Sequence, residues 1–351
     1  MEGGETVRVS VIGATGYGGV ELVRILHQHP KVDEIICYSH SHGGMTLQEV
    51  FPHLTNLRHL PLQEVNINQI AEQSDIVFTA TPAGVSHQII PSLQKWGVPC
   101  IDLSGDLRFP SPEVYEKWYG KKTASASFLQ KVVYGLPEWF SSQIAEAQVI
   151  ANPGCYPTAA SLGLLPLLSG DVIIENSILV DAKSGVSGAG RSLSLGTHYG
   201  EVNESVAAYK IGVHQHTPEI EENIKRVTNK EVAITFTPHL VPMTRGILCT
   251  IYASLKGNQT IDEIEALFRD RYRNKPFVRL RPRGIYPKTK EVVGSNYCDI
   301  GIQVDTRTNR VVVISVIDNV MKGAAGQAVQ NWNIMSGWAE DTGLTFTPLY
   351  P

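Results

Sequence analysis

Three side chains in this 351-residue sequence have the type and setting for acyl chemistry. Cys155 follows Asn152-Pro153-Gly154 and precedes an apolar run from 157 to 168 that reads as a helix. Pro157 suits the first turn of such a helix, where its missing N–H would have no partner in any case. A cysteine at that point sits over backbone N–H groups at the positive helix end, which favours the thiolate. The alternative is a buried, inert thiol. Further along, His214 and His216 lead into Thr217-Pro218-Glu219-Ile220, which reads as a helix start with Thr217 as N-cap and Pro218 in the first position. Glu219, Glu221 and Glu222 crowd its first turn, as the helix dipole favours. That dipole disfavours an imidazolium just outside it, so His216 reads as a neutral base. On extended backbone His214 shares its face. An exposed loop is the plainer reading of the two histidines.

The elements that must position these groups follow an α/β order. An apolar strand at 7–12 runs into Gly13-Ala14-Thr15-Gly16-Tyr17-Gly18-Gly19, and an amphipathic helix follows. A strand, a glycine-rich turn and a helix form a phosphate cradle in which backbone N–H groups approach a pyrophosphate. Gly13, Thr15, Gly16, Tyr17 and Gly18 are its cofactor candidates. A second strand, 35–38, ends in Ser39-His40-Ser41-His42 with no Asp or Glu to take a ribose 2′-hydroxyl. Ser39 and Ser41 suit a 2′-phosphate instead, so NADP is expected over NAD. Strands at 75–79 and 99–102 end near Thr81-Pro82 and Leu103-Ser104-Gly105-Asp106-Leu107-Arg108, where a parallel sheet places its ligands. A strand at 148–151 delivers Cys155. After a strand at 177–181, the small-residue loop from Lys183 through Ser187 and Gly188 to Arg191 could fold over a phosphate or a nicotinamide. Strands from 233 to 255, a helix at 261–272, a strand at 311–317 and a final helix beginning near Asp318-Asn319 complete the chain.

Composition bounds the remaining choices. Hydrophobic content of 42% with 18% charged residues is that of a globular protein, and the length suggests two domains. A net charge of −4 without a basic run argues against nucleic acid, and no apolar stretch reaches bilayer length. The five cysteines are scattered without metal-ligand spacing, and Met1-Glu2-Gly3-Gly4-Glu5 is unlike a targeting segment. A cytoplasmic protein with no metal site is expected.

Taken together, Asn152 to Thr158, the glycine loop and His214 to Ile220 resemble the N-acetyl-γ-glutamyl-phosphate reductases of arginine biosynthesis. Leu103 to Arg108, Tyr134 to Glu138, Ser184 to Arg191, Pro238 to Gly246 and Lys322 to Gln327 carry the resemblance along nearly the whole chain. It implies a Rossmann-type parallel sheet (residues 1–152 with 319–351) and a second α+β substrate and dimerisation domain (153–318). It also implies a homo-oligomer, dimer or tetramer. The implied reaction is NADPH-dependent reduction of an acyl phosphate through a Cys155 thioester, with His216 as acid/base and His214 contacting substrate, His214 being the rival for the acid/base role. Asn152 or helix-start N–H groups would hold the oxyanion. Arg108 and Lys183 are candidates for the phosphate, and Arg191 or Arg245 for the substrate carboxylate. Thr81, Pro82, Ser187, Gly188 and Asn319 complete the expected cofactor contacts. Two rivals are an enzyme resembling aspartate-semialdehyde dehydrogenase and a nucleotide-binding sensor without turnover.

Overall fold

Residues 9–12 are buried on both faces of a strand, Ser10 included, as in a strand covered on both sides. In the computed structural model, which describes residues 7–350, this is the centre of a parallel sheet. The acidic start of the chain lies outside the described residues. The first unit contains the chain as far as Pro153 together with Ala324–Thr345. Its elements are β1 (Val7–Ile12), α1 (Tyr17–His27), β2 (Val32–Tyr38), α2 (Leu47–Val50), β3 (Leu62–Gln63), α3 (Ile67–Gln73), β4 (Ile76–Thr79) and α4 (Ser86–Gln94). They continue with β5 (Cys100–Asp102), α5 (Pro112–Tyr119), α6 (Ala126–Leu129), β6 (Val133–Tyr134), α7 (Pro137–Ala145) and β7 (Val149–Ala151). The sheet order is β3-β2-β1-β4-β5-β7-β6 and every pairing is parallel. The order reverses between β1 and β4, which opens a crevice at their carboxyl ends.

The second unit spans Gly154–Gly323 and resumes at Phe346. It holds α8 (Cys155–Ser169), β8 (Leu179–Ser184), α9 (Tyr199–Val202), β9 (Ala207–Ala208), α10 (Thr217–Thr228), β10 (Thr235–Leu240) and β11 (Ile247–Ser254). After these come α11 (Ile261–Tyr272), β12 (Val278–Leu280), β13 (Cys298–Asp305) and β14 (Arg310–Ile317). These strands form a mixed sheet, β12-β13-β14-β11-β8-β10-β9. Helix α8 is apolar all round and buried along nearly its whole length. It rests on β11 and β14 at Gly163, where a Cβ would lie 2.7 Å from Ile251 Cδ1. Strand β11 alternates buried Ile247, Cys249 and Ile251 with half-exposed Leu248, Thr250 and Tyr252, so one sheet face carries helices and the other is open.

Three boundaries differ from the sequence reading. Helix α8 begins at Cys155 itself, with Gly154 as its cap. His216, not Thr217, caps α10. The expected last helix is interrupted by a π-helical turn over Met321–Ala325, so α12 (Gly326–Met335) starts later and packs on α1 and α7 of the first unit. Among the described residues, no helix is long and apolar enough to cross a membrane.

Candidate active site

Helices α8 and α10 pack together, and their starting ends meet. Gly154 N–H donates to buried Glu219 Oε1 at 2.8 Å, joining the residue before Cys155 to the first turn after His216. The Tyr156 ring lies 6.0 Å from the His216 ring, edge on, so the histidine stands beside the residue that follows the cysteine. Cys155 is half-buried, whereas the other four cysteines are buried. Burial pushes the thiols of Cys37 and Cys100 up to about 12, and raises that of Cys249 as well. Those thiols are inert at neutral pH. The π-helical turn supports the cysteine: its defining bond runs from Gly323 N–H to Asp318 O at 3.0 Å. A Cβ at Gly323 would come within 2.8 Å of Cys155 Cβ.

His214 is 3% exposed and boxed by Tyr156, Tyr209, Phe236 and His216, with ring centroids 4.9–5.6 Å away. Its Nδ1 accepts the His216 backbone N–H at 3.0 Å, which places any ring proton on Nε2. Burial, then the cationic forms of His216 and Lys210, hold this imidazole down to about 2. His214 is thus a buried prop that fixes the backbone of His216. Tyr209 and Tyr156 extend the prop, their hydroxyls 3.3 Å apart, and Tyr156 donates to His239 O.

A second loop of this unit is tied down by its own small residues. Gly185 N–H donates to Gly246 O, and Ser187 N–H to Thr244 O. A Cβ at Gly185 would strike Thr244 O at 2.7 Å, so only glycine permits this approach. Asn319 bridges the loop pair, accepting from Gly246 N–H at 2.7 Å and donating to Ser187 Oγ at 2.9 Å. Asp318, fully buried, accepts from Val320 and Met321 N–H and from Gly294 N–H, and pairs with Arg245 at 3.4 Å. Sequence reasoning missed Glu219 and Asp318. Both looked like ordinary acids near helix starts, and only tertiary packing turns them into acceptors for the cysteine turn and the π-helical turn.

In the first unit the glycine loop has the form a dinucleotide needs. Gly13 has φ +86° and its missing Cβ lets Ala80 O approach, while a Cβ at Gly19 would lie 2.2 Å from Gly13 O. These two glycines are demanded by packing. Gly18 faces nothing within 4 Å and Gly16 is nearly as open, leaving room for phosphate oxygens. Thr15 Oγ1 and Ser39 Oγ are 3.2 Å apart, which brings the end of β2 to the loop. Ser41 Oγ is bonded to His42 in an exposed loop. Thr81 Oγ1 is buried without a hydrogen-bond partner among the described residues. Beside it, Pro82 contributes no N–H to the turn. These residues fit a nicotinamide dinucleotide.

Several expected substrate ligands are engaged elsewhere. Lys183 is on β8, not in a loop, and its ammonium contacts Asp181 at 2.6 Å. Its strand neighbour Val180 pairs with Ile251 on the helix-bearing face, so Lys183 points to the open face, away from α8. Arg108 is buried, donating to Asn152 O at 2.9 Å and Leu103 O at 3.1 Å, so it braces the chain before the cysteine. Asn152 is equally committed: its Oδ1 accepts from Asn331 and its Nδ2 donates to Ala324 O. Arg191 lies exposed in the loop after Gly190, and Arg245 is half-buried beside Asp318. Among the described residues no cluster of three or more His, Cys, Asp or Glu is placed to hold a metal.

The chain is similar to known proteins along most of its length. Residues 8–147 match the family described as semialdehyde dehydrogenase, NAD binding domain, and residues 155–319 match semialdehyde dehydrogenase, dimerisation domain. Proteins named N-acetyl-gamma-glutamyl-phosphate reductase from Geobacillus sp. (strain WCH70) and Bacillus subtilis (strain 168) are each 52% identical over 345 residues, covering 98% of this chain and 100% of theirs. Aspartate semialdehyde dehydrogenase II from Vibrio cholerae, complexed with ASA, superposes with a TM-score of 0.74 at 18% identity, over 95% of this chain and 99% of that one. The Candida albicans enzyme with NADP gives 0.71 at 15% identity, over 94% and 99%. Those solved structures share the fold. The relatives share about half their residues along nearly the full length, and the chain belongs to the N-acetyl-γ-glutamyl-phosphate reductase family.

Proposed function

We propose that this chain reduces N-acetyl-γ-glutamyl phosphate to N-acetylglutamate semialdehyde with NADPH, releasing phosphate, as a step of arginine biosynthesis. The observation that carries the reading is the meeting of α8 and α10, through the Gly154–Glu219 bond and the Tyr156–His216 contact. Cys155, at the first position of α8, is the nucleophile, and the helix start favours its thiolate. Its sulfur attacks the acyl carbon, the carbon–oxygen bond to phosphate breaks, and a thioester remains on the enzyme. Backbone N–H groups of the first turn of α8, which have no acceptor within the helix, receive the oxyanion. The nicotinamide, when bound, supplies the hydride that reduces the thioester carbon. His216 takes the thiol proton in the first step and returns one as the thiohemiacetal on Cys155 collapses to aldehyde. Arg191 and Arg245 are the cations proposed for the substrate carboxylate.

The first unit is assigned to the cofactor, through Gly13, Thr15, Gly16, Tyr17, Gly18, Thr81 and Pro82. Ser187, Gly188 and Asn319, in the loop pair of the second unit, are proposed as further cofactor contacts. NADP is preferred because Ser39 and Ser41 end β2 where an acid would repel a 2′-phosphate. Self-association is assigned to the open face of the second sheet, where Leu179 is 40% exposed and Leu248 and Tyr252 are half-exposed. A cytoplasmic, reducing setting suits the thiol nucleophile.

The test is the reverse reaction: phosphate-dependent oxidation of N-acetylglutamate semialdehyde, followed as NADPH formation and compared with aspartate semialdehyde. Preference for the acetylated substrate is expected. Equal or faster turnover of aspartate semialdehyde overturns the substrate assignment. In a binding titration NADP(H) should bind more tightly than NAD(H), and comparable affinities would contradict the cofactor choice.

A further inference from the structure

Outside the cysteine site, two buried carboxylates face each other at the carboxyl ends of β4 and β5. Asp106 receives Gly84 N–H at 2.7 Å and Tyr115 Oη–H at 2.6 Å on one oxygen. Its other oxygen receives His87 N–H and lies 3.2 Å from Ser86 Oγ. Helix α4 has no side-chain cap of its own at Val85, so Asp106 caps it from twenty residues away. The same contacts fix the far end of the turn holding Thr81 and Pro82. Its near end is fixed at Ala80, whose N–H donates to Ile12 O and whose carbonyl packs against Gly13.

Asp102, fully buried, has a different environment. One oxygen takes Thr79 Oγ–H and Ser104 N–H. The other lies 2.8 Å from Ser104 Oγ and 3.0 Å from Ser86 Oγ. Ser86 Oγ is also 2.8 Å from Ser104 Oγ. With the Ser86–Asp106 approach, the two serine hydroxyls and two carboxylate oxygens make four close oxygen–oxygen contacts. The serines supply one hydrogen apiece, which leaves two of these contacts without one. A proton on Asp102 completes the three contacts among Asp102, Ser86 and Ser104 and leaves only the longest, Ser86–Asp106 at 3.2 Å, without its own, while Asp106 receives donors from Gly84, His87 and Tyr115 and is satisfied as an anion.

We infer that Asp102 and Asp106 are positioning residues for the cofactor turn, Asp106 as an ionised anchor and Asp102 as a neutral acid that props Ser86 and Ser104. This rests on the assignment of the Thr81 turn to the dinucleotide. Burial raises the Asp102 acid and the neighbouring Asp106 charge raises it further, while the donors around Asp106 outweigh its burial and lower it.

The test compares Asp106→Asn with Asp102→Asn in the full chain, measuring NADPH affinity by fluorescence titration and Cys155 alkylation by iodoacetamide without cofactor. Asn at 106 turns an acceptor into a donor facing N–H groups, and loss of a charged hydrogen-bond partner costs about tenfold or more in affinity. Asn at 102 reproduces the neutral acid and should cost at most about threefold. Alkylation should be near wild type in both. Equal affinity loss in the two variants, or none at position 106, overturns the inference. If wild type itself fails to bind NADPH, it is the cofactor assignment that falls. Should Asp106→Asn not fold, Tyr115→Phe removes one donor and leaves the carboxylate. Faster hydrogen exchange at Gly84 with weaker NADPH binding is then expected, and unchanged values for both contradict the proposal.

Discussion

At the scale of single residues, one thiol and two imidazoles are assigned different tasks. Cys155→Ser should lose turnover yet keep NADPH affinity, because an alcohol is scarcely ionised where a thiol is. Loss of NADPH binding in that variant would count against separate roles for the two units. His216→Asn should slow acylation and aldehyde release by about 10²–10⁴-fold, the usual loss on removing a positioned acid/base, measured by single-turnover kinetics. His214 leaves a different trace. Its folded imidazole is held down to about 2 against an ordinary 6.5, so between those values the unfolded chain binds the extra proton. The stability it contributes is complete above pH 6.5 and is lost as pH falls. Thermal unfolding of wild type should therefore fall more steeply from pH 6.5 to about 4.5 than that of His214→Phe. Parallel curves would show that His214 is not a buried neutral base.

At the scale of elements, most of what carries the site was legible because it is local. A strand running into Gly13 to Gly19, a cysteine at a helix start and an acid-rich turn after His216 each announce themselves within ten residues. What was not legible depends on pairing across the chain. Glu219 read as a dipole-favoured surface acid, yet it is buried against Gly154 N–H. Lys183 read as a loop cation because β8 begins and ends later than its apolar residues suggest. The π-helical turn has no local signature beyond Gly323, which the sequence placed in an ordinary helix. That turn makes its own prediction. Gly323→Ala puts a methyl group 2.8 Å from Cys155 Cβ, an overpacking of about 1–3 kcal/mol. Slower alkylation of Cys155 and a lower Tm are expected, and an alkylation rate equal to wild type would show that the turn does not set the position of the thiol.

At the scale of the whole molecule, the α/β alternation pointed to a parallel sheet, and the β3-β2-β1-β4-β5-β7-β6 order is that sheet. The second sheet was harder to foresee, since β8 pairs with β10 in parallel but with β11 antiparallel. Its open face gives a prediction of its own: Leu179→Glu should lower the mass measured by light scattering, and an unchanged mass would move self-association to another surface. The central claim is that phosphate leaves before hydride arrives, because the acyl group is held on Cys155. Rapid mixing of the protein with N-acetyl-γ-glutamyl phosphate, without NADPH, tests it most directly. The account predicts a burst of inorganic phosphate equal to the Cys155 content, with none from Cys155→Ser. No burst from a wild-type preparation that turns over with NADPH, or an undiminished burst from Cys155→Ser, would contradict it.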